Sequence, residues 1–338
     1  MKVGICGATG YSGRELIRIL LRHPKAELTL LTSNQFSGRS IAEVFPEFRG
    51  RIDLVCQDLD SANLSEKLDF VFLALPHTLS MQVAPKFLEK GVRVIDLSGD
   101  YRLQSDIYEK WYGKPHLDAQ NLEKAVYGLP EFFRSQIPKA RLISNPGCYP
   151  TAACLAIVPA LKNEWVQLEG IMIDAKSGVS GAGRNPTLAT HFPEVYENMK
   201  AYKIAVHQHT PEIERILSHW AHQEIKVVFV PHLIPVERGI LCTVYADLKK
   251  KAKTSEVLDS FRAFYKDEPF VRILPQGEYP QTRSVADTNY CDIGLQVDER
   301  TGKLVIVSVI DNMVKGASGQ AVQNMNLMAG FPETTGLL

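Results

Sequence analysis

A chain of 338 residues is long enough for two domains of ordinary size. Its composition, 45% hydrophobic and 22% charged, is that of a soluble globular protein. The 38 basic side chains equal the 38 acidic ones, so neither a nucleic-acid surface nor an anionic-membrane surface is expected to be its main business.

Residues 2–6 read as a short apolar strand. The run Gly7-Ala8-Thr9-Gly10-Tyr11-Ser12-Gly13 follows directly, and residues 12–22 then show helical periodicity through Leu16, Ile19 and Leu20. Glycines between a strand and a helix let the backbone turn sharply and approach a pyrophosphate at the helix N-terminus. The run therefore predicts a dinucleotide site at Gly7, Thr9, Gly10, Tyr11, Ser12 and Gly13. A tight turn that merely needs glycine is the plainer alternative. The second strand, 27–32, leads into Ser33-Asn34-Gln35 without the acidic residue that would bind the ribose of NAD. Ser33 and Arg39 are available to meet a 2′-phosphate, which favours NADP(H); a solvated surface role is the alternative for Arg39.

Further along, residues 52–56 are predicted as a third strand, and 70–75 is a continuous apolar run, as in a strand buried on both faces. A helix is expected near 80–90, ended by Gly91, then strands at 92–97 and 141–144. This βαβ alternation predicts a parallel sheet covered by helices. Asp96-Leu-Ser-Gly-Asp-Tyr-Arg102 follows one of these strands, at the sheet end where open α/β proteins bind ligands. Arg102 there suits a bidentate contact to phosphate or carboxylate.

Six cysteines occur: Cys6, Cys56, Cys148, Cys154, Cys242 and Cys291. They form no C-x-x-C pair, which fits a reduced, cytoplasmic protein better than a disulfide framework. No signal-peptide pattern and no long apolar stretch appears, so no membrane span is expected. Cys148 carries the most information. It falls in Asn145-Pro-Gly-Cys-Tyr-Pro150, between the β-rich 141–143 and the buried-helix pattern from Thr151. Unpaired N–H groups and the positive dipole end at such a turn favour an anion and lower a thiol pKa from its usual value of roughly 8.5. That predicts a nucleophile for covalent catalysis. An inert buried cysteine is the alternative.

After Cys148 the strand candidates lengthen and alternate: 170–175, 225–230, 239–248, 293–297 and 304–310. Several lack a crossover helix between them, so an antiparallel or mixed sheet is expected. Helices are predicted at 254–267 and 316–329, the last packing back on the first domain. The fold class expected is α/β: a Rossmann-type dinucleotide-binding domain (1–147 and 313–338) plus an α+β substrate and oligomerisation domain with a mixed sheet (148–312).

Three more polar runs carry chemistry. Ser177-Gly-Val-Ser-Gly-Ala-Gly-Arg184 suits a loop closing over cofactor or substrate, or else a flexible linker. His207-Gln208-His209-Thr210-Pro211-Glu212 would put two histidines on one face of a strand. Metal binding lacks further ligands nearby, and acid–base work paired with Cys148 fits an imidazole pKa of roughly 6.5. Arg238, in Pro231-His-Leu-Ile-Pro-Val-Glu-Arg-Gly239, is a second anion-gripping candidate, with a surface pairing to Glu237 as the alternative.

Together the runs at 7–13, 96–102, 145–149, 177–184, 207–212 and 231–239 closely resemble the N-acetyl-gamma-glutamyl-phosphate reductase family, in the aspartate-semialdehyde-dehydrogenase-like group. The resemblance implies Cys148 as nucleophile and His209 as acid/base with His207 in support. Gln208 stands where many members have arginine, so no cation is carried over to that position. It further implies Ser177, Gly178 and Asn312 at the cofactor, and Arg102, Asn145, Arg184 and Arg238 at the substrate. The substrate implied is a small acyl phosphate, N-acetyl-gamma-glutamyl phosphate, reduced with NADPH in arginine biosynthesis, by a homodimer or homotetramer, without a metal. An aminoadipyl phosphate on a carrier protein and aspartyl phosphate are alternative substrates. A cysteine hydrolase and a silent NADP-binding regulator are alternatives of other classes.

Overall fold

A computed structural model describes residues 1–59 and 67–338. These form two compact units, one of residues 1–146 and 317–338, the other of residues 147–316.

The first unit is a six-stranded parallel sheet. Its elements are β1 (Lys2–Cys6), α1 (Tyr11–Leu20), β2 (Glu27–Thr32), β3 (Phe70–Leu73), α2 (Ser80–Glu89), β4 (Arg93–Asp96), α3 (Ser105–Tyr112), β5 (Val126–Tyr127) and β6 (Leu142–Ser144). Strand order is β2-β1-β3-β4-β6-β5. All four side chains of β3, Phe-Val-Phe-Leu, are fully buried, as the unbroken apolar run requires of a central strand. The chain turns from β1 to β2 on one side and places β3 on the other. The sheet thus has its switch point beside β1, where the glycine turn begins. The terminal residues return to this unit through a helix at Gly319–Ala329, where Ser318 Oγ donates to the Ser12 carbonyl at 2.9 Å.

The segment 52–56 does not form the expected third strand. Val55 makes a single bridge to Ser40, and Gln57 a single bridge to Thr32. Its partner Ser40 lies between a turn at 35–38 and the short helix Ile41–Val44 that it caps, so no ladder can propagate. β5, only two residues long, gave no pattern to read.

The second unit carries α4 (Cys148–Lys162), β7 (Ile171–Ser177), β8 (Lys200–Ala201), α5 (His209–Ala221), β9 (Val227–Leu233), β10 (Ile240–Asp247), α6 (Thr254–Phe264), β11 (Val271–Ile273), β12 (Cys291–Asp298) and β13 (Lys303–Ile310). Its seven-stranded sheet runs β11-β12-β13-β10-β7-β9-β8 and is mixed. β7–β9 and β11–β12 pair parallel, and the other neighbours pair antiparallel. Alternate residues of β7 and β9 are buried, so one sheet face is packed while the other shows Met172 and Val228 to solvent. α4 is apolar all round and almost wholly buried. Among the described residues no helix is long and apolar enough to cross a membrane.

Candidate active site

The predicted dinucleotide turn has the required shape. Gly7 adopts φ +85°, and a Cβ there would run into the Ala74 carbonyl at the end of β3. A Cβ on Gly13 would strike the Gly7 carbonyl oxygen and the Ala8 backbone, so this glycine lets α1 close onto the strand. The turn is pinned to β2, with Gly7 N and Ala8 N donating to the Thr32 carbonyl at 3.1 and 2.9 Å. Gly10 is the N-cap and offers no side-chain acceptor, and the first turn, with Tyr11 and Ser12, holds no acid. Helix N–H groups and the dipole end are thus left for an anion. Backbone without Cβ, a free helix start and no competing carboxylate all suit a pyrophosphate. Thr9 Oγ1 and Ser33 Oγ lie 2.7 Å apart, and Ser33 Oγ accepts from Phe36 N. Arg39 is exposed beside Phe36, 3.4 Å from Glu43.

At the carboxyl end of β4, Arg102 is buried. Its Nε donates to the Asn145 carbonyl and one Nη to the Leu97 carbonyl, both at 2.8 Å. Asn145 is buried too: its amide donates to the Ala317 carbonyl and its Oδ1 accepts from Asn324. Both side chains therefore brace the backbone just after β6 within the first unit. Asp96 nearby is pushed up to about 6 by burial and then by Asp100. Asp100 accepts from Thr78 N and Met81 N, capping α2 from a distant loop.

Cys148 is the first residue of α4, with Gly147 as N-cap. It is partly exposed, whereas the other five cysteines are buried. Burial pushes the thiols of Cys6 and Cys242 up to about 12 and Cys56 to about 11, and raises Cys154. Only Cys148 combines access with a helix N-terminus.

The two histidines are not on a strand. His209 opens α5, and His207 stands just before it. Pro211 and the carboxylate of Glu212 suit a helix start, which is why the alternating-strand reading fails here. His207 Nδ1 accepts from His209 N at 3.0 Å, which puts the proton of the neutral ring on Nε2. Burial, and then Lys203, push the His207 pKa down to about 4, so this ring is neutral near pH 7. His209 is half-buried, its ring centroid 4.8 Å from His207 and 5.9 Å from Tyr149.

Glu212 joins the two helix starts. Its Oε1 accepts from Gly147 N at 2.9 Å, tying the first turn of α5 to the residue before Cys148. The N-terminal ends of α4 and α5, one carrying Cys148 and the other His209, are thus bound together, and both dipole ends favour developing negative charge there. Tyr149 packs edge-on against both histidines and Phe229, accepts from Tyr202 Oη and donates to the His232 carbonyl, each at 3.2 Å. Sequence reading assigned no role to Glu212, Tyr149 or Tyr202. Glu212 was visible as the last residue of the His-x-His-Thr-Pro-Glu run, but only the fold shows what it holds.

The loop after β7 is braced, not a free linker. Gly178 N donates to the Gly239 carbonyl, Val179 N to Val236 and Ser180 N to Glu237. A Cβ on Gly178 would lie 2.6 Å from the Glu237 oxygen. Ser177 Oγ donates to the Gly178 carbonyl. Asn312 clamps the pair of loops, accepting from Gly239 N at 2.7 Å and donating to Ser180 Oγ at 3.0 Å. Arg184 is half-buried beyond this turn. Arg238 faces Asp287 at 3.3 Å, Asp311 at 3.6 Å and Glu237 at 3.7 Å.

Comparison with known proteins agrees with this geometry. Residues 2–140 match the family described as semialdehyde dehydrogenase, NAD binding domain, and residues 148–312 match semialdehyde dehydrogenase, dimerisation domain. Proteins named N-acetyl-gamma-glutamyl-phosphate reductase from Symbiobacterium thermophilum and Pelotomaculum thermopropionicum are 54% and 52% identical, over all of this chain and 97% of each relative. A crystal structure of aspartate semialdehyde dehydrogenase II from Vibrio cholerae has a TM-score of 0.76 at 19% identity, covering 97% of this chain and 98% of that one. The fold is therefore that of the semialdehyde dehydrogenases, and the chain belongs to the N-acetyl-gamma-glutamyl-phosphate reductase family.

Proposed function

We propose that the chain reduces N-acetyl-gamma-glutamyl phosphate to N-acetylglutamate 5-semialdehyde with NADPH, releasing phosphate. The observation that carries the mechanism is Cys148, the one accessible cysteine, on a helix start tied to the helix start that bears His209. His209 takes the thiol proton as Cys148 Sγ attacks the acyl carbon. The acyl C–O bond breaks, and His209 returns that proton to the departing phosphate. The product is a thioester on Cys148, more open to reduction than a carboxylate. When bound, NADPH supplies the hydride that reduces this acyl group. The C–S bond then breaks, the aldehyde leaves, and a solvent proton delivered through His209 restores the thiol. Main-chain N–H groups at the start of α4 are the natural donors to the transient oxyanion. His207, neutral and tautomerically fixed, orients the start of α5 rather than carrying the proton.

The glycine turn with Thr9, Tyr11 and Ser12 is the proposed pyrophosphate cradle, and Ser33 with Arg39 the proposed reader of the 2′-phosphate. Ser177, Gly178 and Asn312 are the further proposed contacts for the cofactor. Arg102, Asn145, Arg184 and Arg238 are the proposed grips for the substrate's polar and anionic groups. The working form is taken to be a cytoplasmic homodimer or homotetramer. The open sheet face at Met172 and Val228, together with exposed Leu188, Phe192, Met199 and Ile204, supports association through the second unit.

Side-by-side assays of N-acetyl-gamma-glutamyl, aminoadipyl and aspartyl phosphates test the substrate. The N-acetylglutamyl compound is expected to turn over with much the highest kcat/KM, and failure to turn it over would overturn the proposal.

A further inference from the structure

We infer that the turn from Asp311 to Gly316 is a rigid backstop for the nucleophile, with Gly316 and Asp311 as positioning residues for Cys148. This rests on Cys148 being the nucleophile. A Cβ on Gly316 would lie 2.8 Å from Cys148 Cβ, 3.3 Å from Cys148 Cα and 3.2 Å from Ile310 Cδ1. Bare backbone therefore sits directly against the carbon that carries the thiol. No left-handed φ forces glycine at 316, so space alone demands it.

A stop is useful only if it does not yield, and this one is tied down on every side. Gly316 N donates to the Asp311 carbonyl at 2.9 Å, in a π-helical turn over Val314–Ser318. Such wide turns recur at functional sites. The fully buried Asp311 carboxylate accepts from Met313 N at 2.8 Å and Val314 N at 3.2 Å through Oδ1, and from Asp287 N at 2.8 Å through Oδ2. Arg238 supplies the counter-charge. The next residue, Asn312, clamps the loops at Ser180 and Gly239. One short turn thus fixes both the wall behind Cys148 and the loops that carry Gly178 and Arg238. Arg238 is then partly committed to the backstop and not solely to substrate.

Gly316→Ala would displace Cys148 or the turn by several tenths of an ångström, and small misplacements of reacting groups cost up to about 100-fold in rate. The test uses the full-length enzyme. Gly316→Ala is expected to lower kcat by roughly 10- to 100-fold. The KM for NADPH should stay within about twofold, and the pH profile of Cys148 alkylation by iodoacetamide should shift. Asp311→Asn, which keeps the shape and loses the charge, should move the same alkylation profile by a smaller amount. If Gly316→Ala folds poorly, its stability cost is measured again in a Cys148→Gly background, which lacks the opposing Cβ. The cost should be clearly smaller there, whereas additive costs would overturn the contact. Wild-type kcat together with an unchanged alkylation profile in Gly316→Ala would also overturn the proposal. Cys148→Ala, assayed in parallel, separates the two readings. If that variant keeps turning over, the nucleophile itself is wrong; if it is dead while Gly316→Ala behaves as wild type, only the backstop is wrong.

Discussion

The bond from Gly147 N to Glu212 sets the position of the residue before the nucleophile, and removing its acceptor has a calculable effect. Glu212 is 1% exposed, so no bulk water stands ready to replace its carboxylate. Glu212→Gln keeps an oxygen that can accept from Gly147 N; Glu212→Leu fills similar volume and leaves that N–H buried without a partner. An orphaned buried donor costs about 1–3 kcal/mol. A unit of the size of residues 147–316 has a urea dependence of roughly 2 kcal/mol per molar. The leucine variant should therefore unfold at a urea midpoint about 0.5–1.5 M below the glutamine variant. Two of the three tryptophans, Trp165 and Trp220, lie in that unit, so fluorescence in a Trp111→Phe background follows its unfolding, at one fixed protein concentration because association shifts the midpoint. The same loosening should lower kcat by about tenfold or more in the leucine variant, with a smaller loss in the glutamine variant. Equal midpoints for the two variants, or a glutamine variant weaker than the leucine one, would refute the role of this hydrogen bond.

Iodoacetamide should modify Cys148 alone and abolish turnover; comparable labelling of Cys154 would contradict the burial argument, since its thiol is raised by desolvation. Gly7→Ala and Gly13→Ala should each weaken NADPH binding by more than about tenfold while leaving the second unit's stability unchanged, because both Cβ atoms would collide with backbone. Arg39→Ala should weaken NADPH far more than NADH, on the order of 1–3 kcal/mol for a lost charged contact, and equal losses would remove Arg39 as the phosphate reader. His207 has a folded pKa near 4 against an unfolded value of about 6.5. Its contribution to stability is complete above pH 6.5 and is lost as pH falls towards 4, by about 3 kcal/mol in all. His207→Asn, whose amide oxygen can accept from His209 N, should flatten the acid limb of a denaturation curve; an equally steep limb would assign it to other groups.

The shape of the glycine turn was legible in the sequence, because its three glycines answer to local requirements: a left-handed φ at Gly7, a helix start at Gly10 and close packing at Gly13. The buried strand 70–73 and the long alternating strands of the second unit were equally plain, since burial on one or two faces is written into residue order. Segment 52–56 misled because its apolar alternation is real, but its neighbour Ser40 lies between a turn and a short helix rather than on a strand. The His207–His209 spacing was read as strand-like, although Pro211 and Glu212 pointed to a helix start. Long-range partnerships were invisible. Nothing in the order of residues says that Glu212 reaches Gly147, that Gly316 abuts Cys148, or that Arg102 donates to the Leu97 and Asn145 carbonyls.

Covalent catalysis at Cys148 can be tested most directly in reverse. The enzyme is mixed with N-acetylglutamate 5-semialdehyde and NADP while phosphate is withheld, and NADPH absorbance is followed before the protein is digested for mass spectrometry. One rapid equivalent of NADPH per active site is expected, with an N-acetylglutamyl thioester on the Cys148 peptide that disappears on addition of phosphate. NADPH formation without any adduct on Cys148, or an undiminished burst in Cys148→Ala, would contradict it.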